Sequence, residues 1–249
     1  MKIKLICCDV FARLAYKVAA ESPHMVDLEM FPMLSHNEPD KLRTDLQNAI
    51  NKVNSPGTND RIYDRIVLAY GLCGNAIVGL TGSIPMIIPR MHDCCAMFMG
   101  SQERFLEVFG QNLSSSWRSY CYMERCVDFD ANITNHMTHP DFLKLLNEYG
   151  KENADYIWQT LHPSIDEKNN KAFYIRLEDF EFASQHYRLE YIKQKKQEGY
   201  QVETVKGSSK WFVQLINGPW DAKFFLELLP GHVIKPIYDM EEVFIGTIP

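Results

Sequence analysis

The sequence lacks an excess of positive charge. It carries 26 lysine and arginine residues against 32 aspartate and glutamate residues, a formal net charge of -6. Proteins that bind nucleic acid generally need a basic surface, because binding releases counterions from phosphates. The one notable basic cluster, Lys193, Lys195 and Lys196, lies beside Glu190 and Glu198, which is typical of a solvated helix face. We therefore expect no nucleic-acid partner.

Long apolar runs are also missing. The amino-terminal segment reaches Asp9 before a secretory signal could develop. No later segment supplies the roughly 20 apolar residues that a helix needs to cross a bilayer. We therefore expect no membrane association and a cytoplasmic location. With 46% hydrophobic and 23% charged residues, the composition is that of a folded globular protein.

The seven cysteines lack the features of a disulfide framework. They are Cys7, Cys8, Cys73, Cys94, Cys95, Cys121 and Cys126. Their number is odd, two pairs are adjacent, and the expected compartment is reducing. Cys121 and Cys126 also lack the two-residue gap of zinc knuckles, although they could add ligands if the chain folds back. Thiol chemistry, metal ligation and plain burial remain as the alternatives.

Short apolar segments alternate with segments of helical spacing along the whole chain. In the first half, strands are predicted at 2–10, 25–31, 65–70 and 85–89, and helices at 11–21 and 38–53. In the second half, helices are predicted at 141–161, 180–199 and 211–217, and strands at 172–177, 201–205 and 224–229. No assignment is made for 105–135, and Asn37 is predicted to cap the second helix.

This alternation predicts an α/β fold with a mostly parallel, Rossmann-like sheet and helices on both faces. The preferred architecture has two similar lobes with a cleft between them. An amino-terminal lobe over 1–112 would carry the cysteine and histidine segments, and a carboxy-terminal lobe would span 113–249. One continuous domain is the alternative, since 249 residues is near the upper size of a single core.

The cysteines fall where predicted parallel strands end. Ligands of such sheets bind outside the carboxyl ends of the strands, so Cys8, Cys73 and Cys94 are expected at one site. Neighbouring side chains of a strand point to opposite faces, and Cys8 lies nearer the strand end than Cys7. We therefore predict that Cys7 is a core residue and Cys8 a site residue. His36, in the loop after the second strand, would reach the same edge.

Cys73 stands between Gly71 and Gly74, which allow a sharp turn and a close approach. The run Gly-x-Cys-x-Asn after a strand is similar to a nucleophile elbow, although Asn75 replaces its last glycine. An apolar helical pattern that includes Phe98, Phe105 and Phe109 follows Asp93. Cys94 and Cys95 are predicted in the first turn of this helix, capped by Asp93, where the helix dipole would lower the pKa of a thiol. Cys95 would pack inward.

Several of these segments resemble one known family. They are Ile6-Cys7-Cys8, Ser35-His36-Asn37-Glu38-Pro39, the Y-G-L-C run at 70–73, and the P-R-x-H-D-C run at 89–94 followed by Gly100-Ser101. This pattern resembles domain-of-unknown-function family 1638, found mainly in methanogens and anaerobic bacteria. The resemblance implies a site of Cys8, Cys73, Cys94, His36 and His92. Within the same motifs, Gly71, Gly74, Asn75 and Arg90 are assigned to cofactor contacts. Relatives often lie beside genes for corrinoid-dependent methyltransferases, which implies anaerobic one-carbon metabolism.

Three functions follow from these residues. In the first, three thiolates and a histidine or outside ligand hold zinc, or three thiolates hold an iron-sulfur cluster. In the second, a metal-free transferase or hydrolase uses Cys73 as nucleophile, His92 as base and Asp93 or another carboxylate as orienting group. In the third, the protein binds a corrinoid or a methyltransferase subunit without catalysis. We favour the metal or cluster site, with a small-molecule substrate or corrinoid methyltransferase components as partners.

Overall fold

The computed structural model describes residues 1–54, 61–110, 115–125, 140–161, 170–178, 181–237 and 242–249. The elements of the first half are β1 (Lys2–Cys8), α1 (Ala12–Glu21), β2 (Met25–Phe31), α2 (Pro39–Asn54), β3 (Arg65–Ala69), β4 (Met86–Pro89), α3 (Cys94–Met99) and α4 (Gln102–Phe109). Those of the second half are β5 (Ser116–Ser119), α5 (Tyr120–Arg125), α6 (Pro140–Leu161), β6 (Lys171–Arg176), α7 (Glu181–Gln197), β7 (Gln201–Lys206), α8 (Lys210–Asn217), β8 (Phe225–Leu228), β9 (Val233–Pro236) and β10 (Phe244–Thr247).

The main sheet has five strands in the order β2-β1-β3-β4-β8. The first four are mutually parallel, and β8 pairs with β4 antiparallel. The chain leaves β1 for β2 on one side and returns to β3 on the other. A crevice forms at such a switch point, outside the carboxyl ends of the two strands. The predicted α/β fold with a mostly parallel, Rossmann-like sheet is confirmed.

Each face of the main sheet is covered by helices. Val67 and Ala69 of β3 belong to a core shared with α1 and α8, whereas Ile66 and Leu68 belong to a core shared with α2. All four side chains are fully buried. Continuous apolar sequence in a strand is typical of a parallel sheet buried on both sides. The prediction of helices on both faces is confirmed.

The second half builds a separate three-stranded parallel sheet, in the order β5-β6-β7. Part of that half returns to the main sheet, since β8 pairs with β4 and α8 packs on α1. The predicted boundary between residues 112 and 113 stays a prediction. Two short antiparallel strands, β9 and β10, follow β8 and were not predicted. Each has four residues, too few to give a clear period.

Two local predictions need correction. The apolar pattern after Asp93 is not one helix, because α3 ends at Gly100, which has a φ of 97°, and α4 begins with Ser101 as its cap. A Cβ on Gly100 would lie 2.7 Å from Cβ of Ser208, so the site also has no room for a side chain. The second helix begins at Pro39, so Glu38 and not Asn37 precedes it. No helix in the described ranges is long and apolar enough to cross a membrane.

Candidate functional site: the cysteine cavity

The segments that follow β3 and β4 run side by side beyond the sheet. The backbone N–H of Leu72 donates to the carbonyl of Met91 at 3.0 Å, and that of Cys73 donates to the carbonyl of His92 at 2.9 Å. A Cβ on Gly71 would lie 2.8 Å from the carbonyl oxygen of Met91 and 2.9 Å from the amide nitrogen of Asp93. Only glycine permits this approach, which holds the two cysteine segments together.

Cys73 occupies an unusual backbone conformation. Its φ is 46°, followed by 65° at Gly74 and 69° at Asn75. A left-handed conformation at a residue with a Cβ costs about 1–2 kcal/mol. Strain of this kind persists only where the surrounding structure enforces it, and it is often found at functional sites. The turn presents the Cys73 side chain at the carboxyl edge of the sheet.

Cys94 begins α3 directly after the segment paired with Cys73. The side chain of Asp93 caps the helix, accepting a hydrogen bond from the backbone N–H of Ala96 at 2.9 Å. The predicted cap is therefore confirmed. Cys95, one residue further on, is 1% exposed and belongs to the core. The helix thus directs one thiol of the pair to the site and the other inward.

A cavity at the carboxyl edge of the main sheet brings the predicted ligands together. Cys8, Cys73, Cys94 and His36 all line it. We call it the cysteine cavity. Its free space is about 20 Å³, and the cavity is partly open to solvent. Cys7, on the opposite face of β1 from Cys8, is fully buried in the core.

Apolar side chains form most of the remaining wall of the cysteine cavity. They are Val10, Phe11, Pro32, Met33, Leu42, Ala69 and Met97. Two tyrosines, Tyr70 and Tyr122, also line it, and neither was predicted as a site residue. Tyr70 is the first residue after β3 and could have been found from its place beside Gly71. Tyr122 comes from α5, in a segment whose sequence shows no clear period.

Burial controls the protonation of the three thiols. It raises the pKa of Cys8 and of Cys73 to about 12, and for Cys73 the carboxylate of Asp93 and the Cys8 sulfur add to the rise. Burial also raises the pKa of Cys94 well above its ordinary value, helped by Asp93 and by the Cys73 and Cys8 sulfurs. The expected lowering by the helix dipole is therefore wrong, because desolvation outweighs it.

Burial shifts the pKa of His36 in the opposite direction from the pKa of the three thiols. Burial of its ring lowers its pKa, and the carboxylate of Asp93 opposes part of that change. A neutral imidazole is the form that binds metals. The backbone carbonyl of His36 lies 4.0 Å from where a Cβ on Gly74 would stand, so the loop after β2 closes over the Cys73 turn. His36 is therefore the histidine that lines the same cavity as the three sulfurs.

Three other predicted site residues have different surroundings. His92 does not line the cysteine cavity, and its Nε2 is buried without a hydrogen-bond partner among the described residues. Arg90 lines a different cavity, and its guanidinium donates to the carbonyls of Ala222, Glu242 and Phe244. The carbonyl of Asn75 accepts from Arg43 at 2.8 Å.

Among the described cysteines, only Cys8, Cys73 and Cys94 line the cavity. Cys121 is 2% exposed within α5 and packs in the core shared with α1. Cys126 lies outside the described residues. As the side chains stand in the described ranges, no three or more His, Cys, Asp or Glu residues form a group that could hold a metal ion. The candidate ligands share one cavity without forming a closed coordination shell.

The comparison with known proteins gives a family. A family model described as "Protein of unknown function (DUF1638)" matches residues 30–194, about two-thirds of the chain. The match includes His36, Cys73 and Cys94, whereas Cys8 precedes it. The chain matches no curated protein and no solved structure. Because the match covers more than half of the sequence, the chain belongs to the DUF1638 family.

Proposed function

We propose that the cysteine cavity is a metal or iron-sulfur centre. The observation that carries this proposal is the convergence of Cys8, Cys73 and Cys94 on one cavity with His36 beside them. Cys8 is the last residue of β1, and Cys73 and Cys94 come after β3 and β4, the next two strands of the sheet. Soft thiolate ligands favour zinc and iron-sulfur clusters over hard cations.

A bound cation would also stabilise the thiolate form of the three cysteines. Three thiols in an apolar wall have raised pKa values and stay protonated at neutral pH. Metal binding displaces those protons, because the ligand form of cysteine is the thiolate. Rotation of the side chains would be needed to close the shell. Three thiolates and His36 would suit tetrahedral zinc, and three thiolates with an outside ligand would suit a cluster.

The metal-free nucleophile receives less support from the geometry. It requires Cys73 to ionise with His92 as base. Burial raises the pKa of Cys73 to about 12, which disfavours the free thiolate, and the His92 ring has no hydrogen bond to Cys73. The hydrogen bond that joins the two residues is between their backbones, from the N–H of Cys73 to the carbonyl of His92. Zinc with an open position would instead provide an activated water or thiol.

The wider role remains a proposal from the family resemblance. We place the protein in anaerobic one-carbon metabolism in the cytoplasm, with a small molecule or corrinoid methyltransferase components as partners. A change of the cobalamin spectrum on mixing with the protein is expected if a corrinoid binds it, and no change would remove this role.

The deciding experiment measures zinc, iron and acid-labile sulfide in protein purified without oxygen. The variants are Cys8→Ala, Cys73→Ala and Cys94→Ala. The adjacent residues provide matched controls, Cys7→Ala and Cys95→Ala, which remove a sulfur of the core. We expect the three site variants to lose most of the bound metal and the two controls to retain it. Thermal unfolding of each variant separates lost ligands from lost fold.

The opposite result is equally clear. A folded protein that contains no metal, and in which iodoacetamide modifies Cys73 alone at one equivalent per chain, would contradict the metal centre. It would favour the nucleophile. Metal retained in all three site variants would place any bound metal elsewhere.

A further inference from the structure

Another cavity opens at the carboxyl edge of the main sheet, with about 360 Å³ of free space that is partly open to solvent. Its wall includes Arg90, Gln102, Leu106 and Phe224, and we call it the arginine cavity. Arg90 directly follows β4, and Phe224 directly precedes β8, which runs antiparallel to β4. A water molecule in the liquid takes about 30 Å³, so the cavity has the space of about a dozen waters. A small organic molecule therefore fits in it.

The guanidinium of Arg90 is a half-buried cation without an ion pair. Its Nε donates to the carbonyl of Ala222 at 3.0 Å, and its Nη1 donates to the carbonyls of Glu242 and Phe244. No carboxylate in the described part of the chain lies within 4 Å of its nitrogens, whereas Arg65 pairs directly with one. The carbonyls hold the guanidinium in place, and its Nη2 donates to no described residue.

The other charges of the described wall limit what Arg90 could bind. Burial lowers the pKa of Arg90, and the carboxylate of Glu242 opposes part of that change. Arginine still carries its charge at neutral pH. The other described cation of the wall, Lys223, is already paired, with its Nζ 3.1 Å from Oε1 of Glu103. Because Glu103 and Glu242 both line the cavity, they would repel a ligand with several negative charges. A single negative charge suits the wall best.

Gln102 provides a second unused donor. It is 7% exposed, its Oε1 accepts from the backbone N–H of His92 at 3.4 Å, and its Nε2 is buried without a partner. Its side chain lines the arginine cavity, so a turn of the amide would bring Nε2 to a bound ligand. Met91, Leu106 and Phe224 give the same wall an apolar part. A matching ligand therefore has a hydrogen-bond acceptor at one end and an apolar body.

We propose that the arginine cavity binds a small organic monocarboxylate. The carboxylate accepts hydrogen bonds from Nη2 of Arg90 and from Gln102, and the apolar body lies against Leu106 and Phe224. Hydrogen bonds between two ionised groups are stronger than neutral ones, and the planar guanidinium suits a carboxylate. This site needs no metal and is separate from the cysteine cavity, so a result against either proposal leaves the other intact.

The test compares three molecules with the same body by isothermal titration calorimetry: 3-phenylpropanoate, 3-phenylpropan-1-ol and 3-phenylpropylamine. We expect wild-type protein to bind the carboxylate roughly tenfold more tightly than the alcohol, the effect of hydrogen bonds to a charged group. The amine should bind no better than the alcohol. Arg90→Gln should remove the preference for the carboxylate and leave the affinity for the alcohol unchanged. Gln102→Leu should remove part of it.

Arg65→Gln is the matched control. Arg65 begins β3, at the opposite edge of the sheet, and does not line the arginine cavity, so this variant should keep the preference. Thermal unfolding checks that Arg90→Gln is folded. Ala222→Trp provides a second test, since Ala222 is an exposed residue of the cavity wall and a larger side chain there should weaken binding of both the carboxylate and the alcohol.

Three results would overturn the proposal. The first is the absence of binding of 3-phenylpropanoate to wild-type protein, or equal dissociation constants for it and the alcohol. The second is a preference that is unchanged in folded Arg90→Gln. The third is binding that is unchanged in Ala222→Trp, which would place the ligand outside the arginine cavity even if Arg90→Gln does not fold.

Discussion

Each adjacent cysteine pair divides its two sulfurs between the site and the core. In β1 the division follows from strand geometry, since Cys7 and Cys8 point to opposite faces. In α3 it follows from the rotation of about 100° between successive residues of a helix, which sends Cys94 to the cavity and Cys95 inward. The same residue type therefore serves packing at one position and presents a thiol at the next.

Gly71 provides the residue-scale prediction. In Gly71→Ala the new Cβ would meet three backbone atoms of residues 91–93 within 2.9 Å. We expect the paired segments to separate, the free energy of unfolding to fall by about 1–3 kcal/mol, and metal binding to weaken. Denaturant titration and metal analysis measure the two effects.

Gly79→Ala is the control for this prediction. Gly79 has a φ of 82° and no atom within 4 Å of the position that a Cβ would take, so alanine there strains the backbone without a steric clash. It should cost about 1 kcal/mol and leave metal binding unchanged. Equal metal loss in both variants would show that any strain in this region disturbs the site, and that the close approach at Gly71 has no special role.

At the residue scale, sequence predicted the positions that depend on local periodicity. The burial of Cys7 and Cys95 and the cap at Asp93 follow from strand alternation and helix termini. Tyr70 and Tyr122 were not predicted, because their place at the cavity depends on tertiary packing. The pKa of Cys94 was predicted in the wrong direction, since the dipole is a local property and desolvation depends on the whole fold.

At the scale of elements, α3 combines a structural cap with control of the thiols. The Asp93 carboxylate caps the helix and adds to the rise that burial causes in the pKa of Cys73, Cys94 and Cys95. Its negative charge opposes the formation of further negative charge on each sulfur. The cap therefore stabilises the helix and makes the loss of the thiol protons harder.

A pH dependence follows from this arrangement. Metal binding requires the thiolates, so affinity falls as the pH falls and the sulfurs take up protons. Asp93→Asn keeps a capping side chain and removes the charge, so the thiol pKa values should fall. The pH at which half the metal is released should then move to lower values. Zn²⁺ release, followed with a chromogenic chelator across a pH series, measures the shift.

Ser101→Ala provides the control for Asp93→Asn. Ser101 Oγ caps α4 by accepting from the backbone N–H of Arg104 at 3.0 Å. Its loss should destabilise the protein by about 1 kcal/mol without moving the pH of metal release. A midpoint that is unchanged in Asp93→Asn, or that moves to higher pH, would contradict control of the thiols by the Asp93 charge.

The elements themselves were largely predictable where apolar periods are long. The four parallel strands of the main sheet and the helices α1, α2 and α7 follow the predicted segments closely. The helix predicted over 141–161 is interrupted at Gly150, whose φ of 72° and ψ of 169° are not helical. Elements of four to eight residues in the aromatic stretch after Phe105 and after Leu229 were missed or left unassigned. Short elements contribute too few residues to show a period, and their stability comes from their neighbours.

At the scale of the whole molecule, the two halves of the sequence share structure. The second half supplies β8, which covers the edge of β4, and α8, whose Trp211, Phe212, Leu215 and Ile216 are buried against the first half. Arg13, in α1, also pairs with Glu124 of α5, with an Nε to Oε2 distance of 2.9 Å. Glu124 is two residues after Tyr122 in α5, so this ion pair holds α1 to the helix that carries Tyr122 into the wall of the cysteine cavity.

A fragment of residues 1–112 therefore should not fold alone. It would expose the backbone of β4 at a sheet edge and the apolar face that α8 covers, and such edges favour aggregation. We expect the fragment to give a poorly dispersed amide NMR spectrum and to bind no metal, although it contains Cys8, Cys73, Cys94 and His36. Full-length protein is the control. A dispersed spectrum with metal bound would show that residues 1–112 form an independent domain. The core of that domain would then be complete without the contacts of α8 and β8.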